Sequence, residues 1–321
     1  MAKIALNWSA VLLAVCVLVQ LAGSALAWSA FGHSAVASVA RVYLRPSTLE
    51  KVLTTLKATN DTSLESVAPW ADTIRDKYPD TMGLHFIPNI DAPHQGKCFF
   101  DVVKDCVNDK CVYAAINNEI KAIRNTTASA TAKSEATKFL IHFVGDLHQP
   151  LHATSFLKGG NTLPITFGLN ATTGAPLKTN LHSSWDFHLP NKTVTKLHGG
   201  STDKWIDSIV HRIGTEWRQQ VPAWLKCPTE ADQCVRGVES LKKHVCPVTW
   251  ARESDAINCE HVFKDADFSK TIDEVQRNVT VTDAGLVDVS DKYWEAVHDV
   301  IDLQIARAGV RLAATLEATF N

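Results

Sequence analysis

Apolar residues recur every three to four positions in four segments of the chain, the period of a helix with one buried face. Between Phe31 and Leu44, the residues Val36, Val39, Ala40, Tyr43 and Leu44 fall on one stripe, and Pro46 ends the segment. Lys133 to Leu147 repeats the pattern with Phe139, Leu140 and Phe143, and stops near Pro150. Thr202 to Val221 carries Trp205, Ile209, Ile213 and Trp217 at four-residue spacing. Asp291 to Leu316 is the longest, with Trp294, Val297, Ile301, Ile305 and Leu312 inward and Ser290 as its expected N-cap. Strand-like alternation is scarce, and Thr162 to Gly168 is its best example. Asp91 to Cys111 reads as a long loop stapled by cysteines. With no repeat and no low-complexity linker, the pattern predicts a mostly α single domain whose surface loops are held by disulfides.

The N-terminus follows a different pattern. Lys3 precedes an apolar run from Trp8 to Leu21, and small residues then lead to Ala25-Leu-Ala27. A positive start, a short apolar stretch and an A-x-A ending describe a secretory signal peptide, residues 1–27, removed after Ala27. A retained anchor is the alternative, and the complete cleavage pattern argues against it. The mature chain, residues 28–321, then begins at Trp28. No second run of spanning length follows, and Phe320-Asn321 carries no apolar tail. These features predict a soluble product of the secretory route, secreted or held in an endomembrane or lysosomal lumen, without stable membrane association.

Composition narrows the function. Lys plus Arg total 32 and Asp plus Glu 34, a formal charge of -2. That balance argues against a nucleic-acid binder working through bulk basic charge, so any phosphate recognition needs a local device. Nothing in the sequence marks an obligate protein partner. Sequons at Asn60, Asn125, Asn170, Asn191 and Asn278 agree with export. Once Cys16 leaves with the leader, Cys98, Cys106, Cys111, Cys227, Cys234, Cys246 and Cys259 remain, an odd number in a disulfide-forming compartment. At least one thiol therefore stays free or pairs between chains. No C-x-x-C spacing supports a cysteine-zinc site.

The 13 histidines carry the chemistry. His142 and Asp146 stand four residues apart, as do His182 and Asp186, which places each pair on one helical face. His152 follows the break at Pro150, and His33, Asp72 and His85 lie upstream. Imidazole and carboxylate together suit zinc, and an i, i+4 pair can converge on one ion without backbone strain. A single histidine is more often an ordinary core or surface residue. Two such pairs with three further histidines point toward a multinuclear metal site, and their dispersal argues against a storage tract.

In order along the chain stand Trp28-Ser-Ala-Phe-Gly-His33, Trp70-Ala-Asp72-Thr-Ile-Arg75, Leu84-His85-Phe86, Phe139-Leu-Ile-His142-Phe-Val-Gly-Asp146-Leu-His-Gln-Pro-Leu-His152, Gly159-Gly160-Asn161 and Asn180-Leu-His182-Ser-Ser-Trp-Asp186. This series resembles the class I nucleases of the mung bean nuclease type, which are secreted three-zinc single-strand nucleases and 3′-nucleotidases. Their fold is similar to bacterial zinc phospholipase C. The resemblance runs through essentially the whole mature chain.

It implies three zinc ions. One takes Asp72, His85, His142 and Asp146. A second shares Asp146 and adds His33 with the amino nitrogen and carbonyl oxygen of Trp28. The third takes His152, His182 and Asp186. A freed α-amine has a pKa near ~8, against ~10.4 for lysine, so a metal displaces its proton at modest cost. A hydroxide between the paired zincs is the implied nucleophile, since zinc lowers the pKa of bound water from ~15.7 toward ~7. Asp72 and Arg75 are the implied catalytic pair, Arg75 neutralising charge on the phosphoryl oxygens. Phe86 matches the position on which a nucleobase stacks, and Gly160 with Asn161 matches a segment lining the cleft. The implied reaction breaks the P–O3′ bond of RNA, single-stranded DNA and 3′-nucleotides and leaves 5′-phosphates. A phospholipase C-like lipid phosphodiesterase is the alternative. The resemblance also pairs Cys106 with Cys111 and Cys98 with Cys246. Two positions depart from the pattern. Pro88 stands where an acidic residue often reads the base edge, with Asp91 as a possible substitute from a shifted loop. Phe187 stands where smaller or polar residues are common.

Overall fold

The computed structural model describes residues 28–228 and 245–321. The leader and Cys234 lie outside them. The architecture is mostly helical. In chain order the helices are α1 (Ala30–Tyr43), α2 (Pro46–Leu56), α3 (Leu64–Val67), α4 (Trp70–Thr73), α5 (Val112–Arg124) and α6 (Ala130–Leu147). A hairpin of β1 (Pro164–Leu169) and β2 (Pro176–Asn180) interrupts them. The helices resume with α7 (Leu181–Ser183), α8 (Leu189–His198), α9 (Thr202–Gly214), α10 (Val221–Trp224), α11 (Pro247–Ile257), α12 (Ser269–Gln276) and α13 (Lys292–Phe320). α1 packs along α13, and α5 along α6. Buried apolar side chains from Trp28 to Leu316 form one continuous core.

The predicted stripes face inward with local exceptions. In α1, Val36, Val39 and Ala40 are buried, whereas Tyr43 sits at the end and is exposed. α6 begins earlier than expected because the Ser129 hydroxyl accepts a hydrogen bond from Ala132 N at 3.1 Å, an N-cap. The predicted helix from Thr202 ends at Gly214 rather than Val221. Turns follow, and Pro222 near the start of α10 cannot donate to a continuing helix. Trp217 keeps the apolar period and is buried without being helical, with the Arg212 guanidinium 4.1 Å from its ring centre. Ser290 does not cap α13. The flanking residue is Asp291, no side chain caps the helix, and Ser290 N instead donates to Asp288 Oδ1 at 2.8 Å.

The C-terminal end of α6 carries the densest chemistry, and neighbouring helices satisfy its carbonyls. Ser254 Oγ donates to Leu147 O at 2.6 Å, Asn258 Nδ2 to Pro150 O at 2.7 Å, and Gln304 Nε2 to His148 O at 2.8 Å. His148 itself is a core residue. Its ring lies 2.7 Å from Val144 O and 3.0 Å from Arg311 Nη1, and burial with the Arg311 charge holds it well below the usual histidine range.

Disulfides tie the long loop down. Cys106 pairs with Cys111 as expected. The other expected pair is corrected: Cys98 bonds Cys259, and Cys246 bonds Cys227. Cys246 precedes α11, beside the segment leaving α10, whereas Cys259 lies in the turn after α11 that faces the loop. The Asp91–Cys111 segment contains only two short 3₁₀ turns, Pro93–Gln95 and Val107–Asp109.

A carboxyl pair joins this loop to α11. Asn89 Nδ2 lies 3.3 Å from Asp255 Oδ1, and Thr154 Oγ1 donates to Asp91 Oδ1 at 2.6 Å. Burial first, then the neighbouring Asp91, pushes Asp255 up to about 8. In the unfolded chain an aspartate ionises near ~3.9. Between those values the unfolded state holds fewer protons, so the pair costs stability as pH rises, with the loss complete above the folded value. Asp255→Asn removes this term. The wild-type protein is expected to lose more Tm than Asp255→Asn between pH 5 and pH 9. Parallel Tm profiles would exclude a raised Asp255.

Candidate metal centre

Six separate pieces of chain deliver the candidate ligands. Helix α1 supplies His33, α4 supplies Asp72, and His85 follows a 3₁₀ turn at Pro79–Leu84. His142 and Asp146 stand one turn apart on α6, and the 3₁₀ turn Pro150–Ala153 presents His152. The hairpin delivers the last group. Asn180, ending β2, accepts a hydrogen bond from Ser183 N at 2.8 Å and so starts α7 with His182 in it. A π-helical turn, Ser184–His188, then carries Asp186. π-turns widen a helix locally and are frequent at functional sites.

The ligand atoms fall into three groups, within each of which they lie inside 4.8 Å of one another: His33, His142 and Asp146; Asp72, His85 and His142; and His152, His182 and Asp186. Asp146 links them. Its carboxylate is 3.4 Å from His33 Nε2, 3.2 Å from His142 Nε2, 2.9 Å from His85 Nδ1 and 3.7 Å from His152 Nδ1. Asp72 Oδ1 approaches His142 Nε2 at 3.7 Å and His85 Nδ1 at 3.9 Å. In the third group His182 Nε2 and Asp186 Oδ2 are 3.2 Å apart. A fourth cluster, Asp91, Cys98 and Asp255, offers no comparable site because Cys98 is consumed in a disulfide.

Three imidazoles are oriented through their far nitrogen. Nδ1 of His142 is 2.7 Å from Ala68 O, that of His152 is 2.7 Å from His85 O, and that of His182 is 2.6 Å from Gly159 O. Backbone acceptors at Nδ1 fix the tautomer and leave Nε2 as a lone-pair donor. Gln149 Nε2 donates to Asp186 Oδ1 at 2.7 Å and holds that carboxylate in the same way.

Electrostatics show what the cluster lacks. Both ring nitrogens of His33, His85 Nε2, His182 Nε2, Asp72 Oδ1 and Asp146 Oδ1 are buried without a hydrogen-bond partner. Buried polar atoms are rarely left so. Burial opposes ionisation of Asp146, but the charge and hydrogen bond of His142, with the nearby His33 and His85 imidazoles, hold it well below the usual carboxylate range. Burial would likewise discharge His142, yet Asp146 and Asp72 outweigh it and push the imidazole up to about 9. A proton on His142 thus supplies positive charge that a divalent ion would supply better. Burial lowers His152 to about 3 and His182 to about 4, so both are neutral, the state a ligand needs. It pushes Asp186 well above its ordinary value, a cost that a cation removes. The donor set of imidazoles and carboxylates fits zinc.

A cleft of about 750 Å³ opens over this cluster, lined among others by Asp72, Arg75, His85, Phe86, His152 and His182. Arg75 Nε is 3.3 Å from Asp72 O and 3.8 Å from Asp72 Oδ1. Phe86 is 41% exposed and lines the cleft. Trp28 is fully buried, and the next residue donates from Ser29 N to Asp186 O at 3.1 Å, beside the third group. Asn161 lines the cleft, but Gly159 rather than Gly160 lies beside it. The Asn161 amide donates to Lys158 O at 2.9 Å and so serves the turn. The half-buried Asp91 accepts hydrogen bonds from Thr154 and Asn89 and is not itself among the residues lining the cleft. Phe187 is 44% exposed and packs edge-on to Phe31 at 6.0 Å. Sequence reasoning missed Met82, Thr154, Ser155 and Lys158, whose only signal is nearness to motif residues.

Fold and site together define a helical enzyme with buried His/Asp clusters suited to metal ions beneath an open cleft. The S1/P1 Nuclease family profile matches residues 28–321, and the chain belongs to that family. It is 29% identical over 292 residues to Nuclease P1 of Penicillium citrinum, covering 89% of this chain and 95% of that protein. It is 28% identical over 321 residues to Endonuclease 4 of Arabidopsis thaliana, covering 96% and 94%, and 28% identical over 299 residues to Nuclease S1 of Aspergillus oryzae, covering 90% and 91%.

Gly145 gives a direct test of the geometry. A Cβ there would lie 2.7 Å from Nδ1 of the buried His33. Overpacking a buried ring costs about 1–3 kcal/mol, enough to offset the helical gain of about 1 kcal/mol from glycine to alanine, so the His33 ring has to move. Gly145→Ala is expected to bind zinc at least tenfold more weakly while keeping its helical circular dichroism. Unchanged zinc affinity would show that His33 takes no part in metal binding.

Proposed function

We propose that the mature chain, residues 28–321, is a secreted zinc-dependent endonuclease and 3′-nucleotidase acting on RNA, single-stranded DNA and 3′-nucleotides. One observation carries the reading: partnerless ligand atoms converge under a cleft lined in part by the exposed Phe86. The ligand sets are Asp72, His85, His142 and Asp146 for one zinc, Asp146, His33 and the Trp28 terminus for the second, and His152, His182 and Asp186 for the third. The burial of Trp28 and the bond from Ser29 to Asp186 support an ordered amino end beside the cluster. Export is part of the same reading, because cleavage after Ala27 frees the amine. The sequons Asn60, Asn125, Asn191 and Asn278 are exposed and Asn170 half-buried. No helix among the described residues is long and apolar enough to cross a membrane.

When bound, zinc supplies Lewis-acid polarisation and an acidified water. The protein's own residues supply the rest. Phe86 takes a nucleobase on its exposed face, which requires an unstacked base and so selects single strands. That placement sets the sugar-phosphate over the ligand groups. Arg75, held beside Asp72, presents its guanidinium to the phosphoryl oxygens, where negative charge grows. Asp146 is the link through which movement at one ligand group is felt at the other two. Breaking P–O3′ leaves the phosphate on the 5′ carbon of the downstream product and a free 3′-hydroxyl upstream. The same bond in a 3′-nucleotide releases inorganic phosphate.

Protein beginning at Trp28 and saturated with zinc is expected to cut single-stranded oligonucleotides to 5′-phosphorylated products and to release phosphate from 3′-nucleotides, with choline phospholipid left intact. EDTA abolishes both activities. One extra residue before Trp28 is expected to remove most activity while the helical spectrum persists. Cleavage of phospholipid without nucleic-acid cleavage would replace this reading with the lipid one, and full activity of the extended chain would refute the Trp28 chelate.

A further inference from the structure

Two basic side chains other than histidine line the cleft, Arg75 and Lys158. They are used differently. Arg75 is tied to Asp72 and thereby to the ligand groups. The Lys158 ammonium makes no hydrogen bond or ion pair with the described residues, and the residue is exposed.

Its backbone is unusual. Leu157, Lys158, Gly159 and Gly160 have φ of 50°, 55°, 60° and 78°, a full turn in the left-handed region. Glycine accepts that conformation freely, whereas leucine and lysine do not. The turn is held from several sides. Lys158 N donates to Ser155 O at 2.9 Å and Gly160 N to Phe156 O at 3.0 Å. Asn161 Nδ2 donates to Lys158 O at 2.9 Å, and Thr162 bonds Leu157 O through both its backbone N and its hydroxyl. The same turn offers Gly159 O to His182 Nδ1 at 2.6 Å. Lys158 is thus fixed relative to the third ligand group by one residue and one hydrogen bond. Strained backbone that its surroundings over-determine is typical of ligand-contacting segments.

We infer that Lys158 is a substrate-selecting residue that binds a phosphate of the polynucleotide other than the one being cleaved. The inference rests on the nuclease reading above. The scissile phosphate is accounted for by the ligand groups and Arg75. A 3′-nucleotide brings a single phosphate, whereas a polynucleotide places further phosphates along the cleft that Lys158 lines. A lysine suits this task because it is a compact charge on a flexible stem that tolerates variable backbone geometry. The near-neutral whole chain gives no general attraction for nucleic acid, so one placed cation decides polymer preference.

The test compares a single-stranded oligonucleotide with a 3′-nucleotide of the same base, on zinc-loaded wild type, Lys158→Gln and Lys158→Arg. The ratio of kcat/KM for oligonucleotide over 3′-nucleotide is expected to fall about tenfold in Lys158→Gln, through KM for the oligonucleotide, and to recover in Lys158→Arg. The slope of log KM against log salt for the oligonucleotide is expected to drop by ~0.7, the value for one contact on a single strand. A ratio within twofold of wild type, or an unchanged salt slope, overturns the inference. Wild-type protein inert toward both substrates overturns the nuclease reading itself, a result distinct from either.

Discussion

Buried carboxylates and imidazoles, several of whose atoms have no hydrogen-bond partner, impose the constraint that organises this protein. An ion buried alone is costly, and a cluster of like acceptors is costlier. Asp146 sits within reach of His33, His85, His142 and His152. Its charge, with that of Asp72, pushes His142 up to about 9 against the effect of burial. Much of the surrounding fold holds these groups together despite that cost. Ser254, Asn258 and Gln304 occupy the carbonyls at the end of α6. The hairpin and Asn180 bring in His182, and Gln149 restrains Asp186.

The parts of this arrangement readable in the sequence are those set by local geometry. The i, i+4 pairs His142/Asp146 and His182/Asp186 follow from helical pitch, although the second pair sits on a helix turn that widens into a π-turn. That His33, Asp72 and His85 join them does not follow from spacing, because each arrives on a different element. The order of the motifs, matched as a whole, brought these positions forward. Cys106 and Cys111 pair locally as expected, but the Cys98–Cys246 pairing failed for the same reason: Cys98 meets Cys259 across 161 residues, a separation that only tertiary packing decides.

Other differences come from competition between rules. Trp217 continues the apolar period of α9 after its backbone has left the helix, so periodicity overran the true end at Gly214. Strand β2 escaped notice because Lys178, Thr179 and Asn180 are polar and its alternation is weak. Gly159-Gly160 marked a tight approach, but the left-handed turn starts two residues earlier, at Leu157, where nothing in the residue type announces it. The cleft residues around Lys158 are legible only once that turn is known. Asp91, a candidate to replace the acidic residue absent at Pro88, accepts a hydrogen bond from Thr154 and faces Asp255, contacts that the sequence does not announce.

The account stands on the convergence of these ligands around metal. Anomalous diffraction at the zinc edge, on crystals of the processed protein, locates the ions directly. Three peaks are expected: one among Asp72, His85, His142 and Asp146, one beside His33 and the Trp28 terminus, and one among His152, His182 and Asp186. Fewer than two peaks in this pocket, or zinc found elsewhere on the molecule, would contradict the account.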